Sequence, residues 1–259
     1  MPMSPRLLRP LAPSGDSDVR AYIAAVEAAD TQPLEQGVKD AYRDFIVGCK
    51  SDGIWDAIKA SCILAGARTL AGALVPLKGA APLNNNFTEA NYDRETGLVG
   101  DGSQTYLDSN RANDDDPQDD KHISVYATNL GSDSGAVRGL IFAGTGGTSG
   151  SSGIGYRASD GLSPFQVNCG NATSTFGVTT GFLGASRSSS TEFVYRLNNA
   201  NATASQASQS PLATTVLLYS RIGNITSARL AFYSIGESLD LAALDTRVSA
   251  LITAIGNAL

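Results

Sequence analysis

The chain has 259 residues, of which 42% are hydrophobic, so it is long and apolar enough to bury a full core. Its formal net charge is −6 and its Lys and Arg residues are not clustered. Because phosphate binding depends on such clusters, the composition excludes a nucleic-acid partner. No segment has the length or the apolar character of a membrane span or of a signal peptide, which predicts a protein made in a cytoplasm and not inserted into a membrane.

Residues 1–17 are rich in proline and predict an extended arm. Such a segment cannot fold alone and is either disordered or bound along another surface. The arginines and leucines between the prolines favour the second interpretation. The candidate anchoring residues are Arg6, Leu7, Leu8, Arg9 and Leu11.

Residues 18–72 carry three stretches with the spacing of amphipathic helices. The first begins near Asp18, and the second begins at Pro33, a residue favoured in the first turn of a helix. The third covers 54–64 and includes Trp55, which we interpret as a core anchor. The segment therefore predicts a helical subdomain.

Residues 73–237 carry short alternating segments separated by turns rich in Gly, Ser and Asn. This pattern is typical of an antiparallel sandwich of two sheets. The stretches 143–153 and 198–210 are predicted loops. The predicted strands are 70–77, 97–103, 106–109, 122–127, 139–143, 154–158, 165–167, 175–179, 180–184, 192–197 and 214–222.

A last strand is predicted at 229–235, where the side chains alternate. Strict alternation places Leu230, Phe232 and Ser234 on one face of this strand and their neighbours on the other.

The period then lengthens, and 238–259 predicts a helix of about five turns that is capped by Ser238 or Asp240. Its apolar stripe has two interpretations. The stripe either packs on its own sandwich, which the short helix favours, or pairs with other copies in a homo-oligomer such as a trimer. The stripe consists of Leu241, Leu244, Val248, Leu251 and Ile255.

One acidic loop is a candidate metal site. The aspartates of this loop lie close together in the sequence, and like charges repel one another unless solvent or a cation screens them. Carboxylate oxygens are ligands that calcium prefers. This loop is either solvated, which we favour, or a calcium site. No other cofactor is expected for the protein. The residues are Asp114, Asp115, Asp116, Asp119 and Asp120.

The remaining reactive side chains do not form a catalytic set. The single histidine, His122, has no second histidine nearby and predicts a structural or surface role. Cys49 and Cys62 predict buried apolar residues and not a disulfide. Glycoside hydrolysis needs two facing carboxylates, whereas Glu192 stands alone in its predicted strand, so no enzyme activity is expected.

The β half carries a strand with Gly-Asp-Gly, a Val-Tyr strand, a run of hairpins, and a closing Phe-Tyr strand before a helix. In this sequence these are GLVGDGSQTYLDS, HISVYAT, GLIFAG, IGYRA, TGFLGASRSS, EFVYRL, TTVLLYSRI and SARLAFYSIGESLDLAALDTRV. In this order of motifs the chain resembles the laminin-G-like, concanavalin-type jelly roll. The segment FIVGCKSDGIWDAIKASCILAGARTLAGALVPLKG resembles a module next to such a sandwich in structural proteins of tailed bacteriophages.

The resemblance extends over about residues 20–255. The expected fold is mainly β, with an N-terminal helical subdomain (18–72), an antiparallel concanavalin or laminin-G-like sandwich (73–237) and a C-terminal helix (238–259).

The expected function is that of a non-enzymatic virion component, associated with the tail or a fibre and bound to other virion proteins. Its sandwich would face outward toward a host surface glycan. A capsid decoration protein is the alternative within this class. A free carbohydrate-binding or glycan-cleaving protein is the alternative from another class, and it would use a face lined by Tyr156, Tyr195 and Tyr219 or by paired carboxylates.

Overall fold

The computed structural model describes residues 15–132, 135–145, 147–221 and 223–259. The helices of this part are α1 (Ser17–Asp30), α2 (Gln36–Ser51), α3 (Leu70–Ala73) and α4 (Leu241–Ala258). The first strands are β1 (Ile58–Ile63), β2 (Leu83–Asn85), β3 (Tyr92–Asp93), β4 (Gly97–Val99), β5 (Tyr106–Ala112), β6 (Lys121–Asn129), β7 (Arg138–Ala143), β8 (Ser151–Tyr156) and β9 (Ser163–Cys169). The later strands are β10 (Thr173–Thr175), β11 (Gly181–Arg187), β12 (Phe193–Leu197), β13 (Ala200–Ala204), β14 (Thr215–Leu218), β15 (Ser220–Arg221), β16 (Asn224–Ile225) and β17 (Arg229–Gly236).

Within these described ranges, the strands form two large antiparallel sheets. Sheet A has the order β13-β12-β11-β6-β17-β4-β3, and β1 pairs with the same edge of β17 as β4. Sheet B has the order β10-β9-β8-β7-β14-β5-β2. The predicted fold class, a mainly β sandwich with N-terminal helices and a C-terminal helix, is confirmed.

Two apolar clusters divide the molecule into three layers. One cluster lies between the sheets and includes Val125, Phe165 and Leu230. The other lies between sheet A and the helices, where Phe45 of α2 meets Phe232 of β17 with ring centroids 5.5 Å apart. Sheet A is therefore buried on both faces.

The central strand β17 departs from the predicted alternation. Leu230 belongs to the cluster between the sheets, whereas Phe232 belongs to the helix side. The pairing of β17 with β6 shifts register between Leu230 and Phe232, which marks a β-bulge. A bulge adds one residue to the strand and reverses the faces that follow it, so the prediction that these two residues share a face is wrong.

Three predictions for the N-terminal third are corrected. The third predicted helix, 54–64, contains strand β1, which pairs with β17. The predicted strand at 70–77 begins instead with the short helix α3, which Thr69 caps. The second helix begins at Gln36 and not at Pro33.

The loop predicted at 198–210 contains strand β13, which pairs with β12 through a tight turn. Asn198 and Asn199 form this turn, with φ values of 48° and 60°. Asparagine tolerates the left-handed region better than other side chains, which suits the two-residue turn of a hairpin.

Helix α4 lies on the helix side of sheet A. Asp240 caps it, because its carboxylate accepts from the amides of Ala242 and Ala243. The five stripe residues, from Leu241 to Ile255, are buried in the helix-side cluster of the same chain. None of the helices in the described ranges is long and apolar enough to cross a membrane.

Candidate binding surface

The acidic loop contains one buried carboxylate that is bound by two cations. Asp116 accepts from Arg111, including its Nε at 3.1 Å, and from the Lys121 ammonium at 3.0 Å. Burial alone would raise the pKa of the Asp116 carboxyl, but the two cations outweigh it and hold this pKa below its ordinary value. Asp116 therefore fixes the loop to the start of β6.

The other four aspartates of the loop have different surroundings. Asp115 accepts from the Ala112 amide at 2.9 Å, and Asp120 accepts from the Ser238 amide at 2.6 Å. Asp114 is exposed, and Oδ1 of Asp119 is buried without a partner. Across the described residues, no three His, Cys, Asp or Glu side chains lie where they could hold a metal ion together. The calcium interpretation of this loop stays a prediction.

His122 is fully buried and links β6 to β17. Its Nδ1 lies 2.5 Å from the Glu237 carbonyl oxygen, and its Nε2 lies 2.6 Å from the Ser234 hydroxyl. Burial lowers the pKa of His122 to about 4, so the ring is neutral at pH 7. A carbonyl accepts only from a protonated nitrogen, so Nδ1 donates and Nε2 accepts. These contacts give the histidine a structural role.

The buried carboxylates of the described residues are engaged in structural contacts. Asp30 accepts from the amides of Arg68 and Thr69, and Asp245 accepts from Arg196 Nε at 2.7 Å. The third is Asp116. Each carboxylate therefore binds its own cation or amides. Glu192 is exposed and lies just before β12.

The cysteines and the three tyrosines considered for a glycan-binding face belong to the core or its margin. Cys49 and Cys62 are buried and free, as predicted. Tyr219 is fully buried and donates to the Leu98 carbonyl at 2.6 Å. Tyr156 and Tyr195 are half-buried and pack against the cluster between the sheets.

One exposed aromatic residue was not identified from the sequence. Phe176 is 62% exposed and lies between β10 and β11. The next residue, Gly177, has a φ of 70° with open space around it, whereas Val178 is buried in the core. This turn directs Phe176 toward solvent, although a regular strand would place residues 176 and 178 on the same face.

The Phe176 loop is held by the neighbouring hairpin. The amide oxygen of Asn198 accepts from the Thr179 amide at 3.0 Å and from the Thr179 hydroxyl at 2.7 Å. The amide nitrogen of Asn198 donates to the Gly177 carbonyl at 3.0 Å. Both polar ends of Asn198 are therefore used to fix this loop.

A third loop completes this end of the sandwich. The β8–β9 loop lies close enough that a Cβ at Gly161 would be 3.7 Å from the Gly177 nitrogen. Arg157 and Asp160 form a two-pronged ion pair within it, at 2.9 and 2.7 Å. We call the loops 157–162, 176–180 and 198–199 the rim.

The predicted anchoring residues lie outside the described residues. They are Arg6, Leu7, Leu8, Arg9 and Leu11.

No protein-family model and no curated protein matches the chain. Among solved structures it is similar to the binding domain of botulinum neurotoxin DC, solved in complex with rat synaptotagmin II, with 11% identity and a TM-score of 0.53. That match covers 76% of this chain and 52% of the other. It is also similar to a sialidase of Trypanosoma rangeli, solved with sialic acid, with 8% identity and a TM-score of 0.50. That match covers 75% of this chain and 33% of the other.

At these identities the likeness shows the fold alone, a lectin-like β-sandwich. The chain spans about half or less of the length of both solved structures. One of them is a binding domain and the other an enzyme, so the fold by itself is compatible with either activity.

Proposed function

We propose that the chain is a non-enzymatic structural component of a tailed-phage virion, associated with the tail or a fibre, whose sandwich binds a glycan on the host surface. The sequence resemblance to phage structural proteins supports the virion assignment. The likeness to a neurotoxin binding domain supports a binding role for the sandwich. The protein would reach the virion after synthesis in the host cytoplasm.

The observation that carries the binding role is the contrast between the two ends of the sandwich. Gly181 and Arg187 lie at opposite ends of β11. The Arg187 end is closed, because this buried guanidinium donates to the carbonyls of Val167, Ser189 and Gln206. The Gly181 end carries the rim with its exposed phenyl ring. Function concentrates in loops that a rigid scaffold holds, and the rim has this character.

The absence of enzyme activity is supported by how the buried carboxylates are used. A hydrolase that follows the two-carboxylate mechanism needs one acid with a raised pKa facing a second carboxylate. In Asp116 the pKa is lowered instead, and two cations occupy the oxygens of this carboxylate. The carboxylates of Asp30 and Asp245 are likewise occupied by structural partners.

Attachment to the particle is assigned to the N-terminal arm. A Pro-rich segment with arginines and leucines can bind along a partner without contributing to its own core. The partners would be other virion proteins. Asp16 caps α1 and pairs with Lys50 at 2.8 Å, so an informative deletion must stop before it.

Deletion of residues 2–14 tests this proposal. We expect the shortened protein to keep the melting temperature of the full chain but to be lost from purified particles, as measured by mass spectrometry. Replacing residues 2–14 by a Gly/Ser segment of equal length is the control for chain length, and it should also be lost. Undiminished incorporation of both variants would overturn the anchoring role. Labelling of intact particles with an antibody then separates a tail or fibre location from capsid decoration.

A further inference from the structure

The rim has the composition of a sugar site. Among the described residues, the exposed large apolar side chains are Val47, Leu83, Phe176 and Leu259, and Phe176 is the one aromatic residue in this set. A phenyl ring presents a flat apolar face with negative charge density, against which the C–H groups of a pyranose can pack. Aliphatic side chains offer no such flat surface.

The rim also carries exposed polar side chains. Thr180 is exposed in the loop 176–180 that Asn198 holds, and Asn199 is exposed in the adjoining hairpin turn. An amide provides both donors and an acceptor, and a hydroxyl provides one donor and two lone pairs, which matches the hydroxyl groups of a sugar. Binding sites of this kind join an apolar platform to a few fixed polar groups.

The loop is fixed before any ligand arrives. Three hydrogen bonds with the Asn198 side chain hold residues 177 and 179, and Val178 is anchored in the core. Ordering a loop on binding lowers affinity, so a platform held in this way binds more tightly than a free one.

The charges of the rim are neutralised within the protein. Arg157 is paired with Asp160, and the nearby Arg196 at the end of β12 is paired with Asp245. Residues 173–180 carry no charged side chain. An unpaired cation would favour the carboxylate of an acidic sugar, and the described residues of the rim provide none.

We propose that the rim binds a neutral pyranose residue, with the apolar face of the sugar on the Phe176 ring and its hydroxyls on Asn199 and Thr180. This inference rests on the proposed glycan-binding function and names its site and ligand class. The proposed neutral ligand differs from the acidic sugar with which the sialidase of similar fold was solved.

The test compares the full chain with single variants on immobilised oligosaccharides. One set ends in neutral glucose, galactose or mannose, and the other set ends in sialic acid. We expect the full chain to bind a member of the neutral set. We expect F176A to bind it at least tenfold more weakly and F176W, which keeps a flat aromatic face, to stay within about threefold. L83A, which shortens a side chain of similar exposure on β2, is the control and should bind as the full chain does.

Each other outcome overturns the inference. Binding only to the sialylated set would contradict the neutral ligand, and equal binding by F176A and the full chain would place the site elsewhere while leaving the glycan-binding function intact. Failure to bind either set would reject the glycan-binding function together with this site. Particle incorporation is measured separately, so none of these results decides the virion assignment. Because Phe176 is exposed, a loss of binding by F176A with an unchanged melting temperature cannot be assigned to unfolding.

Discussion

Asp116 neutralises a buried cation at the start of β6. Its carboxylate is the partner of the fully buried Lys121 ammonium. Asp116→Asn would leave this cation buried without a counter-charge, and we expect the free energy of unfolding to fall by about 3–5 kcal/mol. Urea denaturation at pH 7 measures the change. Asp114→Asn removes an exposed carboxylate of the same loop and should alter stability by less than about 0.5 kcal/mol, whereas equal losses in both variants would contradict the argument.

His122 makes stability depend on pH between 7 and 5. Its pKa is about 4 in the folded protein, below the ordinary value of 6.5 expected for the unfolded chain. As the pH falls, the unfolded chain therefore takes up a proton on His122 at a higher pH than the folded protein does. The stability that the neutral, buried His122 ring contributes is present above pH 6.5 and is lost as the pH falls toward 4. We expect a loss of about 2 kcal/mol from pH 7 to pH 5 by urea denaturation.

The comparison that isolates this effect is His122→Gln measured over the same pH range. The sequence contains no other histidine, so the variant should have nearly constant stability between pH 7 and pH 5. The same slope in both proteins would show that other groups cause the pH dependence.

Phe176 shows why the sequence did not reveal the rim. The segment 175–179 alternates in a way that predicts a strand, and a strand would place Phe176 and Val178 on the same face. The left-handed backbone of Gly177 places them on different sides, and hydrogen bonds with the Asn198 side chain fix this conformation. Neither the value of a glycine φ nor a contact 19 residues away follows from local spacing. The pair Phe176-Gly177, preceded by Thr175, was the available signal.

Among the elements, helix α4 could be predicted from its spacing, whereas strand β1 could not. The stripe of α4 repeats over a whole helix, and its spacing therefore predicted the helix correctly. In β1, Ile58 and Cys62 fit a helical spacing, while Ile58, Ala60 and Cys62 also fit a strand. Both faces of β1 are buried, so periodicity could not decide, and pairing with β17 determines the outcome.

The stripe of α4 also gives a prediction at this scale. Leu244 is fully buried in the helix-side cluster, so Leu244→Ala should lower the free energy of unfolding by about 2–5 kcal/mol. Urea denaturation measures this loss. The exposed Thr253→Ala on the same helix should change it by less than about 0.5 kcal/mol.

Light scattering tests the other interpretation of the stripe. If Leu244 packs within its own chain, the molar mass of Leu244→Ala equals that of the unmodified protein. A fall in mass together with little change in stability would mean that the stripe joins copies of the chain.

The whole molecule is a stack of helices, sheet A and sheet B, in which sheet A contributes to both apolar clusters. Strand β1 comes from the segment predicted to form a helical subdomain, yet it pairs with the central strand β17. The predicted boundary between residues 72 and 73 therefore lies after a strand of sheet A. Separating the helices from the sandwich would expose Phe232 and break the pairing of β1.

Trp55 reports whether these layers unfold together. It is the only tryptophan, is buried in the helix-side cluster, donates to Asp18 at 3.1 Å and lies under the Lys78 ammonium at 4.4 Å. Because both clusters share sheet A, we expect urea curves from Trp55 fluorescence and from the far-ultraviolet β signal to coincide in midpoint and slope. An independent helical subdomain would instead lose its fluorescence signal at lower urea while the β signal persisted. Ile63→Ala, which shortens a buried side chain of β1 on the helix side, should shift both curves equally if the layers form one cooperative unit.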